Sequence, residues 1–144
     1  MEPTLRNICV FCGSSSGTDP AFQTAAVALG SAIVDAGYRL VFGGGHVGLM
    51  GTLADEVLAR GGEVIGVMTE QLVGLEVAHQ GLTELDIQPT MHRRKARMAE
   101  LADGVVVLPG GFGTLDEAFE LLTWNQLGLV SVPLVFLDVD EFFA

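Results

Sequence analysis

Two segments of the sequence combine residue types that could bind an anion and act on it. Residues 109–117 read PGGFGTLDE, where three glycines in four positions free the backbone N–H groups and Thr114 can donate its hydroxyl to a phosphate. The second segment is MHRRK at 91–95. Four of the chain's seven cations lie in the overlapping range 93–97. A chain of net charge -11 that gathers its cations in one place indicates an anion there; a solvated basic turn of helix is the alternative.

The first segment also carries a carboxylate, Glu117, whose spacing has two explanations. Glu117 stands three residues after Thr114, and Thr-x-x-Glu is the capping box that begins many helices. The capping box explains both residue types without any chemistry. It does not explain the glycines Gly110, Gly111 and Gly113, which allow the backbone to approach a ligand closely. The loop could therefore bind phosphate while Glu117 only caps the helix.

Two further loops are rich in small residues. Residues 13–17 read GSSSG, and their hydroxyls could donate to phosphate or ribose oxygens, although a flexible strand-to-helix turn is the preferred explanation of this loop taken alone. Residues 43–48 read GGGHVG, a literal G-x-G-x-x-G. That dinucleotide fingerprint should follow the first strand, but here it follows the second, and Glu70 matches the expected acid only loosely. An NAD site is a weak alternative, and an anion site at a helix N-terminus is favoured.

Alternating strands and helices must position these loops. Strands are predicted at 7–12, 38–42, 63–68, 83–88, 104–108 and 133–137. Helices are predicted from Asp19 to about 36 and at 48–59, 90–101 and 114–127, with a short helical turn within 71–81. The second, fifth and sixth strands are nearly continuous apolar runs, as is typical of parallel strands covered on both faces. The pattern predicts a single α/β domain over 1–144, a Rossmann-like doubly wound, mostly parallel sheet with helices on both faces.

The cationic segment opens the helix that precedes the fifth strand. Helical spacing places Arg97 on one face with both Arg93 and Arg94. Cations at a helix start oppose the helix dipole, a local cost with no structural benefit visible in the sequence. Ligands of a doubly wound sheet bind beyond the carboxyl ends of the strands, where the three glycine loops are expected. The segment is therefore expected to hold an anionic ligand against those loops.

Composition narrows the class of protein. With 144 residues, 49% of them hydrophobic, and a mean hydropathy of +0.47, the chain can bury the core of one domain. No apolar run approaches the roughly 18 residues of a membrane helix, and the N-terminus lacks the pattern of a signal peptide, so we expect a cytoplasmic protein. The acidic net charge makes nucleic acid and anionic membranes poor partners.

The two cysteines, Cys9 and Cys12, form a C-x-x-C motif that could indicate redox chemistry or a metal site. They fall in a predicted buried strand, where a spacing of three points the side chains to opposite faces. No second cysteine pair exists to complete a zinc site. Two ordinary core thiols are favoured, which suits a reducing cytoplasm, and no metal is expected.

Together, PGGFGTLDE and MHRRK resemble the signatures PGGxGTxxE and M-H-x-R-K of the Lonely-guy (LOG) cytokinin-activating enzymes. The resemblance runs from CGSS at 12–15 through FGGG and VGLMG at 42–51 to about Asp140. It implies a Rossmann-like fold, a homodimer, and no metal or organic cofactor. It also implies hydrolysis of the N-glycosidic bond of nucleoside 5′-monophosphates, with N6-prenylated adenine nucleotides or AMP as substrates. Relatives usually continue through further helices, so the family's C-terminal helix is expected to be missing here.

Carried over by motif, the resemblance implies that Arg94 and Glu117 are catalytic. The substrate-binding residues that it implies are Ser14, Gly44, Gly45, Met91, Lys95, Gly110, Gly111, Gly113 and Thr114. Breaking a glycosidic bond builds positive charge on the ribose, which Glu117 could stabilise, attack, or relieve by activating water. Arg94 could orient Glu117 and the phosphoribosyl group, and Lys95 could add to the positive field.

Other functions compete with this interpretation. Many relatives carry a lysine decarboxylase label, but that reaction normally uses a lysine Schiff base with pyridoxal phosphate, and the sole lysine, Lys95, lies in a basic cluster. A non-catalytic nucleotide-binding or carrier protein of related fold is the main alternative. The combination of Arg94 with Glu117 argues against it, because a pure binder needs no such carboxylate. An NAD-dependent oxidoreductase is a distant third.

Overall fold

The computed structural model of the chain describes residues 6–12, 20–46, 48–74, 78–79, 81–108, 123, 126–128 and 133–136. The strands in this part of the chain are β1 (Asn7–Phe11), β2 (Arg39–Phe42), β3 (Val64–Thr69), β4 (Glu84–Gln88), β5 (Gly104–Val107) and β6 (Leu134–Phe136). The helices are α1 (Pro20–Asp35), α2 (Gly48–Ala59), α3 (Glu70–Gly74) and α4 (Met91–Leu101). Each of these elements was predicted, and α3 is the short helical turn expected within 71–81. The predicted helix at 114–127 lies almost wholly outside the described residues.

One sheet contains these strands in the order β4-β3-β2-β1-β5-β6, and every neighbouring pair is parallel. The chain moves outward from β1 to β4 and then returns to place β5 on the other side of β1. The strand order therefore reverses between β1 and β5. In doubly wound sheets this reversal opens a crevice at the carboxyl ends of the strands, where ligands bind. The GGGHVG loop follows β2, one strand away from the reversal.

Apolar side chains alternate between the two faces of the sheet, and each face has its own core. Helices α1 and α2 cover one face, where Leu40 and Phe42 are fully buried. Helix α4 covers the other face, where Val41 and Met98 are buried. The prediction of helices on both faces is thereby confirmed.

Cys9 and Cys12 illustrate the same alternation. Neither forms a disulfide and both are buried, Cys9 in the core beneath α4 and Cys12 in the core beneath α1 and α2. Their sulfur atoms therefore lie on opposite faces of the sheet. The prediction of two core thiols is confirmed.

Strand β6 departs from the expectation that it is covered on both faces. Val135 is 58% exposed, whereas Leu40, Val41 and Phe42 of β2 are completely buried. The difference follows from position, because β6 is the edge strand and β2 lies inside the sheet. An apolar run alone does not distinguish an edge strand from a central one.

Local sequence signals set the helix ends. Thr90 is the N-cap of α4, and its hydroxyl oxygen accepts the backbone N–H of Arg93 at 3.2 Å. After α1 the chain turns at Gly37, where φ is +80°, and after α2 it turns at Gly61, where φ is +78°. Glycine adopts this left-handed conformation without the penalty that a Cβ would bring. These turns direct the chain into β2 and β3.

The amino ends of the strands are joined by a polar network. The backbone N–H of Asn7 donates to Asp103 at 2.8 Å, and the Asn7 side chain donates to the Leu101 carbonyl at 2.9 Å. Arg39 donates to the Asn7 side-chain oxygen at 2.8 Å. This network connects β1, β2 and the end of α4 at the amino ends of the strands, away from the GGGHVG loop that follows β2. Within the described ranges, no helix is long and apolar enough to cross a membrane.

Candidate active site

Arg94 is buried although it carries a full charge, with only 5% of its surface exposed. It lies in the first turn of α4, and its guanidinium reaches the carboxyl ends of two strands. Nε donates to the Val67 carbonyl at 2.7 Å, and Nη2 donates to the Gly43 carbonyl at 3.0 Å. Nη1 contacts the Met91 sulfur at 3.4 Å. A single side chain therefore bonds β3, the loop after β2, and its own helix.

These contacts change the interpretation of the cationic segment. A buried charge is costly unless it is hydrogen-bonded, and the two carbonyls provide charge-assisted bonds. The expectation that a cation here has no structural benefit is therefore wrong for Arg94. A planar guanidinium fixed in this way suits recognition of a carboxylate or a phosphate.

Glycines in the GGGHVG loop make room for this arrangement. A Cβ at Gly43 would overlap the Nη2 atom of Arg94, so no other residue could stand there without moving the guanidinium. Gly44 has φ of +84° and lies against the Met68 side chain. A Cβ at Gly51, in α2, would overlap the His46 carbonyl. Packing thus accounts for glycine at Gly43, Gly44 and Gly51, of which only Gly43 is a glycine of the dinucleotide fingerprint.

His79 holds the same loop from another direction. Its backbone N–H donates to the Gly44 carbonyl at 2.8 Å, and Gly45 pairs with Ala78 in an antiparallel bridge. The His79 ring lies 2.6 Å from the Asp55 carboxylate on α2. His79 could not be identified from the sequence, because its segment carries no recognisable motif. Only the fold brings it beside the glycine loop.

The outward side of α4 contains a different set of contacts. Arg97 donates to Asp86 at 2.7 Å and to Glu100 at 3.3 Å. Arg93 and Arg97 line a polar cavity of about 390 Å³ with these two carboxylates. The prediction that Arg93 and Arg97 share a face is confirmed. The prediction that Arg94 shares that face is wrong, because its side chain turns inward, towards the strand carbonyls. Two acids already pair with Arg97.

The Asp86–Arg97 pair alters both ionisation equilibria. Partial burial raises the pKa of Asp86, but hydrogen bonds from Arg97 and Gln88 outweigh that effect and hold the pKa below its usual range. The hydrogen bond with Asp86 raises the pKa of Arg97 further above its ordinary value. Both groups are therefore charged near neutral pH, and the pair joins β4 to α4.

A cavity of about 900 Å³ lies between the GGGHVG loop, α2 and the segment before β4. One part of its wall is polar, formed by His46, Asp55 and His79, and another part is apolar and includes Leu82 and Leu85. No group of three or more His, Cys, Asp or Glu side chains in the described part of the chain is placed to hold a metal ion.

Comparison with known proteins places the chain in a family. The sequence profile described as "Possible lysine decarboxylase" matches residues 50–144. A cytokinin riboside 5′-monophosphate phosphoribohydrolase of Rhodococcoides fascians is 48% identical over 143 residues, which are 99% of this chain and 72% of that protein. The chain belongs to the LOG phosphoribohydrolase family. Members from Arabidopsis thaliana and Oryza sativa subsp. japonica are 45% and 46% identical, over 99% and 96% of this chain.

The chain spans 57% to 72% of the length of these LOG relatives.

Solved structures confirm the Rossmann-like fold. A molybdenum cofactor binding protein of Rippkaea orientalis superposes with a TM-score of 0.75 at 22% identity, over 95% of this chain and 80% of that one. The molybdenum cofactor carrier protein of Chlamydomonas reinhardtii gives 0.72 at 21% identity, over 91% and 76%. At this identity the likeness concerns the fold alone.

The structure describes five of the residues that the LOG resemblance assigned to the site. Arg94 contacts Met91 and bonds Gly43, the residue before Gly44, and both Gly44 and Gly45 are buried within the GGGHVG loop. Lys95 is partly buried on α4, one residue after Arg94. The remaining predicted residues lie outside the described part of the chain: Ser14, Gly110, Gly111, Gly113, Thr114 and Glu117. Their assignment stays a prediction.

Proposed function

We propose that this protein hydrolyses the N-glycosidic bond of adenine-type nucleoside 5′-monophosphates, either AMP or its N6-prenylated derivatives. The products are the free base and ribose 5-phosphate. Family membership supports the reaction class, since the relatives at 45% to 48% identity are named phosphoribohydrolases. The observation that carries the proposal is the buried Arg94, placed at the carboxyl ends of β2 and β3.

The proposed reaction breaks the bond between the ribose C1′ and the base nitrogen, and the hydroxyl of a water molecule adds to C1′. The base leaves with the bonding electron pair and takes up a proton. Positive charge develops on the ribose ring as the bond stretches, so a nearby carboxylate lowers the barrier. We assign that carboxylate to Glu117, as stabiliser, nucleophile or base for water.

Arg94 contributes position as well as charge. Its bonds to the Val67 and Gly43 carbonyls fix the plane of the guanidinium, so it need not be reorganised when substrate binds. From this fixed position the two terminal nitrogens can orient the Glu117 carboxylate or the phosphoribosyl group. Lys95, the next residue, adds positive charge to an otherwise acidic protein.

The 5′-phosphate is assigned to the PGGFGT loop, with backbone N–H groups at Gly110, Gly111 and Gly113 and the Thr114 hydroxyl as donors. Ser14, from the loop after β1, would line the same crevice. This assignment agrees with the sheet order, because β1 and β5 border the point at which the strand order reverses. Gly44 and Gly45 would close the pocket on the β2 side.

The residues do not support the activity in the family profile's description, lysine decarboxylase. Its usual chemistry needs a lysine that forms a Schiff base with pyridoxal phosphate. The sole lysine, Lys95, lies on the arginine-rich first turns of α4. We therefore prefer the activity named by the close relatives.

We further propose that the protein works as a homodimer in the cytoplasm. The dimer follows from the family resemblance. Two buried cysteines that form no disulfide suit a reducing compartment. Light scattering coupled to gel filtration tests the dimer: a mass near 30 kDa is expected, about twice the 15.2 kDa chain mass, and a mass near 15 kDa contradicts it.

The test of function is release of free base, followed by chromatography. Purified protein is incubated separately with isopentenyladenosine 5′-monophosphate, AMP and the unphosphorylated riboside. We expect release of free base from the two monophosphates and none from the riboside, because the riboside has no phosphate for the phosphate-binding loop to bind. The ratio of rates on the two nucleotides then defines the preference for a prenylated base.

Two variants separate chemistry from binding. Glu117→Gln removes the carboxylate charge at nearly constant volume, and Asp116→Asn makes the same change at the neighbouring residue, which is expected to be a first-turn helix acid. Base release should be lost in the first variant and retained in the second. If the wild-type protein binds AMP but releases no base, a non-catalytic nucleotide-binding or carrier protein becomes the better description.

A further inference from the structure

His79 connects three parts of the fold through short hydrogen bonds. Its backbone N–H donates to the Gly44 carbonyl at 2.8 Å. Its ring Nδ1 accepts the backbone N–H of Gly81 at 2.9 Å, and Nε2 lies 2.6 Å from the Asp55 carboxylate. Only 12% of the His79 side chain is exposed. One residue thereby ties the GGGHVG loop to α2 and to the turn before β4.

The hydrogen bond from the Gly81 backbone N–H to Nδ1 determines which ring nitrogen of His79 carries the proton. Because Nδ1 accepts a backbone N–H, it carries no proton of its own, and the proton of the neutral ring is on Nε2. Nε2 then donates to Asp55. Both ring nitrogens are engaged, so the imidazole has no lone pair to offer as a general base. The contribution of His79 to the site is therefore positional.

We propose that His79, held by Asp55, is a positioning residue for the substrate-lining side of the GGGHVG loop. The ring bonds hold the backbone of Ala78 and His79 against α2, and that backbone pairs with Gly44 and Gly45. Arg94 holds the preceding residue, Gly43, from the other face of the sheet. The loop is fixed from both sides. The proposal rests on the proposed function, which places Gly44 and Gly45 against the nucleotide.

Substitution of Asp55 weakens the hold on His79, because it removes the carboxylate that contacts Nε2. Its side chain is 71% exposed, so its substitution leaves both cores intact. Asp55→Ala removes the acceptor for the Nε2 proton. Asp55→Asn is the matched control, because its amide oxygen can accept the same proton. His79 itself is unchanged in both variants.

The first measurement is amide hydrogen exchange of His79, followed by NMR in the absence of substrate. This amide is the donor to Gly44, so its protection reports the bond that holds the loop. We expect exchange about 3- to 10-fold faster in Asp55→Ala, the effect of losing one ordinary hydrogen bond, and wild-type exchange in Asp55→Asn. Equal exchange in all three proteins overturns the proposal.

The second measurement is the kinetics of base release from AMP. We expect Asp55→Ala to raise KM about 3- to 10-fold with kcat within about twofold, because the binding loop moves while the catalytic pair stays. Asp55→Asn should restore the KM. A lower melting temperature with unchanged KM means a merely structural role and overturns the proposal. If the wild type releases no base, the proposed function fails, while the exchange experiment still decides whether Asp55 and His79 hold the loop.

Discussion

The inner and outer sides of α4 use the same residue type in opposite ways. Arg94 points inward, is buried, and donates to the carbonyls of Val67 and Gly43. Arg97, three residues later, points outward and pairs with Asp86 and Glu100. Backbone carbonyls fix the guanidinium of Arg94, whereas two carboxylates balance the charge of Arg97.

This difference shows where an arginine can serve function. A guanidinium bonded to backbone carbonyls is fixed in place and can still attract a carboxylate or a phosphate. A guanidinium paired with acids at the surface contributes a little stability and has less attraction left for a ligand. Counting cations in a segment therefore overstates its capacity for anions.

The largest effect is expected for Arg94→Lys. Lysine keeps the charge, but its compact ammonium group cannot reproduce the planar arrangement of donors that reaches both strands. We expect kcat/KM for AMP to fall at least about 10²-fold, the size typical for loss of a preorganised donor. Steady-state kinetics on protein shown to be folded by circular dichroism checks this. Activity close to wild type would mean that charge alone suffices.

An intermediate effect is expected for Gly43→Ala. The new Cβ would overlap Nη2 of Arg94 and push the guanidinium away from its position, with the charge unaltered. We expect kcat/KM to fall about 10-fold, since small displacements at an active site are costly. Gly74→Ala is the control, because nothing lies within 4 Å of a Cβ there. Equal activity of the two variants would contradict a role for the guanidinium position.

The smallest effect is expected for Asp86→Asn, which breaks the outer pair. At pH 7 the free energy of unfolding should fall by about 0.5–1 kcal/mol, because the pair is partly exposed, and kcat/KM should be unchanged. The pKa of Asp86 is lowered in the folded protein, so its contribution is present above the unfolded pKa of about 3.9 and is lost as pH falls through the folded pKa. Urea denaturation of both proteins at several pH values checks this: their difference should shrink as pH falls below about 4.

The fold was largely predictable because its signals are local and periodic. Apolar runs separated by glycine turns defined the strands, and Thr90 marked the start of α4. The exposure of Val135 was not predictable, because whether a strand lies at the edge depends on the order of the whole sheet.

The candidate site was predictable only in part. Arg94 could be identified from its motif. The motif does not show that the Arg94 guanidinium bonds the carbonyls of Val67 and Gly43, which are 27 and 51 residues away in sequence. His79 gave no signal for the same reason, since its partners Asp55 and Gly44 become neighbours only through the fold. Contacts between distant residues depend on tertiary packing, which sequence periodicity does not encode.

The most direct test of this account compares Arg94→Gln with Arg97→Gln in one assay of base release from AMP. The two variants make the same chemical change three residues apart on one helix, so general effects of losing a charge cancel. With both proteins folded, kcat/KM should fall at least about 10²-fold in Arg94→Gln and stay within about threefold of wild type in Arg97→Gln. Equal losses in the two variants, or full activity in Arg94→Gln, would contradict the assignment of Arg94 to the active site.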